Sequence, residues 1–155
     1  MKRLSLLIAA LGLSSAVLAG SADDVAVVDP YIRLAPPNAT ATAAFMVLKN
    51  KGANEAKLVK VANPASKLSE LHTHLNDNGV MRMRQIPEIV IPARGEAVLQ
   101  PSGLHIMLIN MQAPLSEGQV VPLTLGFADG SSKSVEVKVT KAMPAAAMPM
   151  NHMHH

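Results

Sequence analysis

The cleanest alternation in the chain lies near its end, where residues 133–140 read KSVEVKVT and set Val135, Val137 and Val139 against Glu136 and Lys138. A period of two with charges on the off positions predicts a strand with one face in a core and the other in water. Residues 119–127 carry the same signal, with Val121, Leu123, Leu125 and Phe127 at alternate positions and Asp129-Gly130 as the turn between the two runs. Pro122 sits inside that run, so an edge strand or a bulge is expected there. Further upstream, short apolar runs at 89–91, 97–99 and 104–109 are separated by Pro92-Ala93-Arg94-Gly95 and Pro101-Ser102-Gly103, and residues 55–62 end at Asn63-Pro64. Residues 40–48 hold several alanines, yet Thr40, Thr42, Phe45 and Val47 favour extended chain and Asn50-Lys51-Gly52 supplies a turn directly afterwards. Residues 25–28 and 31–34 read as two short strands interrupted by Pro30. Residues 68–75 and 80–86 flank Asn76-Asp77-Asn78-Gly79, a run that tolerates positive φ, and read as a hairpin. Many short strands at close spacing predict an all-β fold, a β-sandwich.

Residues 1–22 stand outside this pattern. Lys2 and Arg3 precede an apolar run at 4–13 and then small residues, the order of an export signal with cleavage after Ala19 or Ala22. The run is shorter than the ~20 residues a membrane span needs, and no later stretch reaches that length, so no span is expected after cleavage. Removing 22 of the 155 residues leaves 133, the size of one domain at 23–141 with a short tail at 142–155. It also removes Lys2 and Arg3, lowering the formal net charge from +3 to +1, so the basic character of the whole chain says little about partners. With only Tyr31, Phe45 and Phe127 as aromatics and no basic run, a nucleic-acid surface built on stacking is not expected. Cysteine is absent, which excludes a disulfide-stapled scaffold and a thiolate-ligated blue-copper site.

Candidate chemistry concentrates between Leu71 and Met107. His72 is followed after ten residues by Met83, after twenty-one more by His105 and after one more by Met107. In extended chain residues two apart share a face, so His72 pairs with His74, Met81 with Met83, and His105 with Met107. The hairpin brings His72 or His74 near Met81 or Met83. Taken singly, a methionine at period two is most often a flexible core filler, and a lone strand histidine is most often a satisfied surface or core residue. The joint pattern is what carries information. Thioether sulfur is soft and uncharged and suits Cu(I), and imidazole suits copper in either oxidation state. Zinc prefers thiolate, imidazole and carboxylate, and calcium and magnesium take oxygen.

The words LHTHLNDNGVMRMR, PSGLHIMLINM and ATAAFMVLKN, together with the spacing of His72, Met83, His105 and Met107, resemble the periplasmic copper chaperones of the PCu(A)C family over roughly residues 25 to 140. The resemblance implies a cupredoxin-like Greek-key sandwich, a periplasmic location, and a Cu(I) site formed by those four residues. It also implies delivery toward the CuA centre of cytochrome c oxidase, with oxidase subunit II or a Sco-type thiol protein as partner. His74 and Met81 fall outside the four-ligand spacing.

After Lys141 the sequence AMPAAAMPMNHMHH has four methionines, three histidines and two prolines and no strand pattern, which predicts a disordered tail. Its Met148, Met150, His152, Met153, His154 and His155 are candidate metal ligands by composition, with Cu(II) taken through histidine and Cu(I) through methionine. Storage or detoxification by the same ligands is the alternative to delivery. No nucleophile motif in a Ser-His-Asp order and no cysteine nucleophile occur, and only Glu70 and Asp77 are carboxylates near the histidines, so no enzyme is expected.

Overall fold

The computed structural model describes residues 20–141. Residues 1–19 of the expected export signal and the candidate tail ligands Met148, Met150, His152, Met153, His154 and His155 lie outside the described residues. One short helix, α1 (Ser21–Asp24), precedes β1 (Val25–Arg33), β2 (Ala41–Asn50), β3 (Ala56–Ala62), β4 (Ser66–Asp77) and β5 (Val80–Gln85). Then follow β6 (Ile89–Ile91), β7 (Glu96–Leu99), β8 (His105–Met111), β9 (Val120–Phe127) and β10 (Ser132–Thr140). Among the described residues no helix is long and apolar enough to cross a membrane.

The strands join in the order β5-β4-β8-β2-β1-β10-β9-β3-β6, with β7 pairing β2 as well. β1 and β10 are parallel and the other strand pairs antiparallel. Contacts of β3 with β4 and of β6 with β2 and β7 fold the two wings of this sheet over each other. The result is the expected sandwich, filled by Ile32, Met46, Leu48, Leu58, Ile106, Leu108, Leu123 and Leu125. Val121, Leu123, Leu125 and Phe127 do share the buried face of β9, and Val137 and Val139 that of β10. Pro122 lies opposite Glu136 of β10, beyond the stretch of β9 that pairs β3. There the missing N–H breaks no ladder bond.

Two local readings change in the structure. Residues 25–28 and 31–34 belong to one strand, β1, because Pro30 follows Asp29 at φ 48 and the irregularity is absorbed as a register shift between Val28 and Tyr31. The hairpin turn is tighter than 68–75 and 80–86 imply: pairing runs from His72 opposite Gln85 to Asp77 opposite Val80, closed by Asn78 and Gly79 at φ 52 and 86. Two consecutive positive-φ residues are what a two-residue hairpin turn matching the strand twist requires.

Two polar anchors complete the frame. Asn50, buried at the end of β2, donates to the carbonyls of Asn54 and Ile91 and accepts from Gly52 N–H, so the end of β2 is tied to the following loop and to β6. Ser21 N–H donates to Asp129 (2.7 Å) and Ala22 N–H to the Ser131 hydroxyl (3.0 Å), docking the first described residues on the β9–β10 turn. The Ser131 hydroxyl, with the Ser21 and Ser131 backbone N–H groups, holds the Asp129 carboxyl well below the usual carboxylate range.

Candidate metal centre

The candidate ligands gather on one wing of the sandwich because β4 is paired by β5 on one side and by β8 on the other. Register fixes who faces whom. His74 lies opposite Met83, Asn76 opposite Met81, His72 opposite His105, and Glu70 opposite Met107. Since Leu71, Ile106 and Leu108 point into the main core, the residues alternating with them share the outer face. Glu70, His72 and His74 of β4, Met81 and Met83 of β5, and His105 and Met107 of β8 are therefore one constellation.

That outer face is not bare. Tyr31, Ala43 and Phe45 form a second apolar cluster with Met107 packed against it. The Tyr31 and Phe45 rings lie 5.2 Å apart, the Arg33 guanidinium sits 5.0 Å over the Phe45 ring, and Phe45 is 6.2 Å from the His105 ring. This platform is why His105 is only 2% exposed although it stands on the face away from the core. A cavity of about 410 Å³ opens beside it, and among its lining side chains are His74, Met83, His105, Met107, Phe45 and Arg33. His72 stands beside this cavity and does not line it. A larger groove of about 480 Å³ lies elsewhere, bounded by Asp23, Asp24, Lys49, Lys51, Arg94 and Glu96 among others, and offers no imidazole or thioether.

Each ring has one nitrogen committed to oxygen. His72 Nε2 lies 2.7 Å from the Glu70 carboxylate, while its Nδ1 is buried with no hydrogen-bond partner. His105 Nδ1 lies 3.0 Å from the Gly103 carbonyl, and His74 Nδ1 approaches the same carbonyl at 3.4 Å. An N–H donated to a carboxylate or a carbonyl fixes the tautomer and leaves the other nitrogen with its lone pair, the arrangement seen behind metal-ligating histidines. Burial pushes His105 below the ordinary histidine pKa. The Gly103 carbonyl pulls it back up, and the nearby His74, His72 and Arg33 add to the lowering. The neutral, ligating form is thereby favoured at this position.

An orphaned, buried ring nitrogen is costly unless something pairs with it, and His72 Nδ1 is the only such side-chain atom among the described residues. With the thioethers of Met81, Met83 and Met107 on the same face, the donor set matches a soft cation. Sequence reasoning singled out His72, Met83, His105 and Met107, which the structure places on one face, but did not see Glu70 as a partner of His72, the Gly103 carbonyl, or the Tyr31–Phe45–Arg33 platform. Glu70 was legible, being two residues from His72 on a strand. The platform was not, since β1 and β2 are joined to β8 only by the fold.

A family model described as putative lipoprotein LpqE-like matches residues 25–139. The chain belongs to the LpqE-like family. A putative lipoprotein of Leifsonia xyli subsp. xyli is 37% identical over 119 residues, 76% of this chain and 70% of the relative. Among solved structures, Cu(I)-DR1885 from Deinococcus radiodurans is 35% identical, with a TM-score of 0.63 and coverage of 76% of this chain and 80% of that one. The copper-bound PCuAC domain of PmoF2 shares the fold at a TM-score of 0.66 and 16% identity, over 77% of this chain and 94% of that domain. The PCu(A)C resemblance carried by the motif words thus stands, and with it the cupredoxin-like sandwich. The family description speaks of lipoproteins.

Proposed function

We propose that this protein is a periplasmic copper chaperone that holds Cu(I) on His72, Met83, His105 and Met107 and passes it to another protein. The observation that carries this reading is the shared outer face of β4, β5 and β8, which carries His72, Met83, His105 and Met107 beside His74 and Met81, with the His72 Nδ1 buried without a partner. Four neutral ligands give a soft monovalent ion a site of moderate strength, and no thiolate opposes its release. Met83 is 47% exposed and Met81 51%, so an incoming acceptor meets thioether sulfur first and exchange can proceed ligand by ligand. The acceptor we propose is the CuA centre of cytochrome c oxidase subunit II, directly or through a Sco-type thiol protein.

Export is part of the proposal. Cleavage after Ala19 keeps the Ser21 and Ala22 contacts with Asp129 and Ser131, whereas cleavage after Ala22 would discard them. The tail ligands Met148, Met150, His152, Met153, His154 and His155 are proposed as an additional capture segment for either copper oxidation state, held near the domain by the tether. Truncation after Lys141 then lowers the copper stoichiometry and leaves one Cu(I) bound.

The deciding experiment is a copper titration of the signal-free protein under reducing conditions, wild type against Met83→Ala with Met107→Ala, read by X-ray absorption. Sulfur in the first shell of the wild type, lost in the double variant, is the expected result. A first shell without sulfur overturns the ligand set. Storage or detoxification is separated by incubating the Cu(I)-loaded protein with purified oxidase subunit II, which a storage protein does not metallate.

A further inference from the structure

We propose that a peptidase of the export machinery hydrolyses the Ala19–Gly20 bond, and that the amino group freed on Gly20 becomes an ion-pair partner of the Asp23 carboxylate. This rests on the export reading above and is independent of copper. Two bonds offer the small residue such an enzyme needs, the one after Ala19 and the one after Ala22. The fold tells them apart. Ala22 is 7% exposed and belongs to the main core. The backbone leading up to it is tied down at every step. The Gly20 carbonyl accepts from the N–H groups of Asp23 (2.9 Å) and Asp24 (3.3 Å), and the Ser21 carbonyl accepts from Val25 N–H. Ser21 N–H donates to Asp129 and Ala22 N–H to the Ser131 hydroxyl. A cut after Ala22 would remove a core side chain and both donors to the β9–β10 turn. A cut after Ala19 leaves all of these contacts in place.

The residue at the new terminus fits its place for a steric reason. The Gly20 backbone is extended, with φ −82 and ψ 169, and so asks for no glycine. A Cβ there, however, would stand 2.9 Å from Ser131 Cβ and 3.2 Å from the Ser131 hydroxyl oxygen, closer than packed atoms come. Only a residue without a side chain lies down against this turn. Its nitrogen is 3.3 Å from the Asp23 carboxylate. In the precursor that nitrogen is an amide with one hydrogen. On hydrolysis, water gives its hydroxyl to the Ala19 carbonyl carbon, the electron pair of the broken C–N bond stays on Gly20 nitrogen, and that nitrogen takes the remaining proton of the water. The new carboxyl group then loses a proton and the amine gains one, since an α-amino group has a pKa of about 7.7–8.0. A neutral N–H facing a carboxylate thereby becomes an ammonium facing it, and charge-assisted bonds are about twice as strong as neutral ones. In a purely structural reading Asp23 closes the turn equally well before and after the cut. The two readings differ in whether charge on the Gly20 nitrogen matters.

The test starts from the whole precursor, expressed in a bacterium with a periplasm, and the N-terminal peptide of the exported protein is read by mass spectrometry. A chain beginning at Gly20 is expected. One beginning at Asp23 overturns the inference, and a precursor kept uncut in the cytoplasm removes the export reading on which it stands. Thermal unfolding then tests the amine. The chain beginning at Gly20 is compared with the same chain acetylated at that nitrogen alone, which keeps an N–H and loses the charge, and with a chain beginning at Asp23. Acetylation should lower Tm by about 1–3 °C, the scale of an exposed ion pair in a domain of this size, and Asp23→Asn should erase the difference. Starting at Asp23 should lower Tm by about 5 °C or more, because a core side chain and two hydrogen bonds go together. Equal Tm for the free and acetylated chains, or a difference that survives Asp23→Asn, overturns the ion pair. Equal Tm for chains beginning at Gly20 and Asp23 overturns the docked turn as the reason for the cut. Neither readout involves copper, so the copper-binding reading stands or falls separately.

Discussion

His105 and Met107 stand on β8, which is flanked by β2 and β4, whereas Met83 stands on β5, an edge strand that pairs only with β4 among the described residues. The contrast runs through every observable. In β8, His105, Ile106 and Leu108 are buried and of the rest only Asn110 is exposed, whereas every residue of β5 is exposed. His105 has an aromatic neighbour in Phe45 and a carbonyl in Gly103. Met83 has open solvent over nearly half its surface. His72 lies between, opposite His105 on one side and Gln85 on the other. Local stability follows packing and exposed backbone bonds, so the proposed site joins a fixed half to a yielding half. The fixed half defines where an ion sits. The yielding half sets how readily it leaves.

The largest effect should come from breaking the fixed half. His105→Ala removes a buried ring and a ligand together. The apo protein should lose about 2–4 kcal/mol, in the range of large-to-small core substitutions, and Cu(I) affinity should fall by about a hundredfold or more, beyond the 10–100-fold typical of outer-shell changes. Denaturant unfolding and competition with a chromophoric Cu(I) chelator read the two losses. Stability unchanged by this substitution would mean that the buried half does not hold the fold as described.

Met83→Ala should behave oppositely. With the side chain on an exposed edge, unfolding free energy should stay within about 0.5 kcal/mol of wild type, while Cu(I) dissociates faster and affinity falls about tenfold. Stopped-flow transfer to a chelator separates the two halves: a faster off-rate with unchanged stability belongs to the edge. A stability loss matching that of His105→Ala would erase the distinction.

How much of this was legible in the sequence follows the same division. Alternation alone put His72 with His74, and His105 with Met107, on shared faces, and Asn78-Gly79 announced the hairpin that sets His74 against Met83. These are short-range consequences of strand geometry and turn chemistry. That β8 docks beside β4 and brings His105 opposite His72 is a long-range fact that no period or turn encodes. The motif words reached it only by resemblance. The platform of Tyr31 and Phe45 was invisible for the same reason, and the kink at Asp29 was misjudged because Pro30 looks like a strand breaker until a register shift accommodates it.

A milder perturbation sharpens the comparison by loosening the edge without touching a ligand. Gly79 sits at φ 86, and no atom lies within 4 Å of the place a Cβ would occupy, so Gly79→Ala is opposed by backbone conformation and not by crowding. A left-handed conformation costs a non-glycine residue about 1 kcal/mol. Amide exchange should quicken across β5 and the outer part of β4 and stay unchanged in β8, with a smaller rise in Cu(I) off-rate than Met83→Ala produces. Equal acceleration in β8 would show that the halves open together.

The smallest effect is expected from protons acting on the buried half. Burial holds the His105 pKa below its ordinary value, so between about 6.5, the unperturbed histidine value, and the lowered folded value the unfolded chain binds the proton and the folded chain does not. Linkage then requires stability to rise with pH over that window. The contribution is fully present above about 6.5 and is lost as pH falls through the folded pKa. Urea unfolding of the metal-free protein at pH 7.5, 6.5 and 5.5 should show this slope, and His105→Gln, which cannot titrate, should reduce it. A slope that persists undiminished in His105→Gln would assign the proton uptake to another group, and the buried ring on β8 would no longer be what ties acidity to the fixed half of the site.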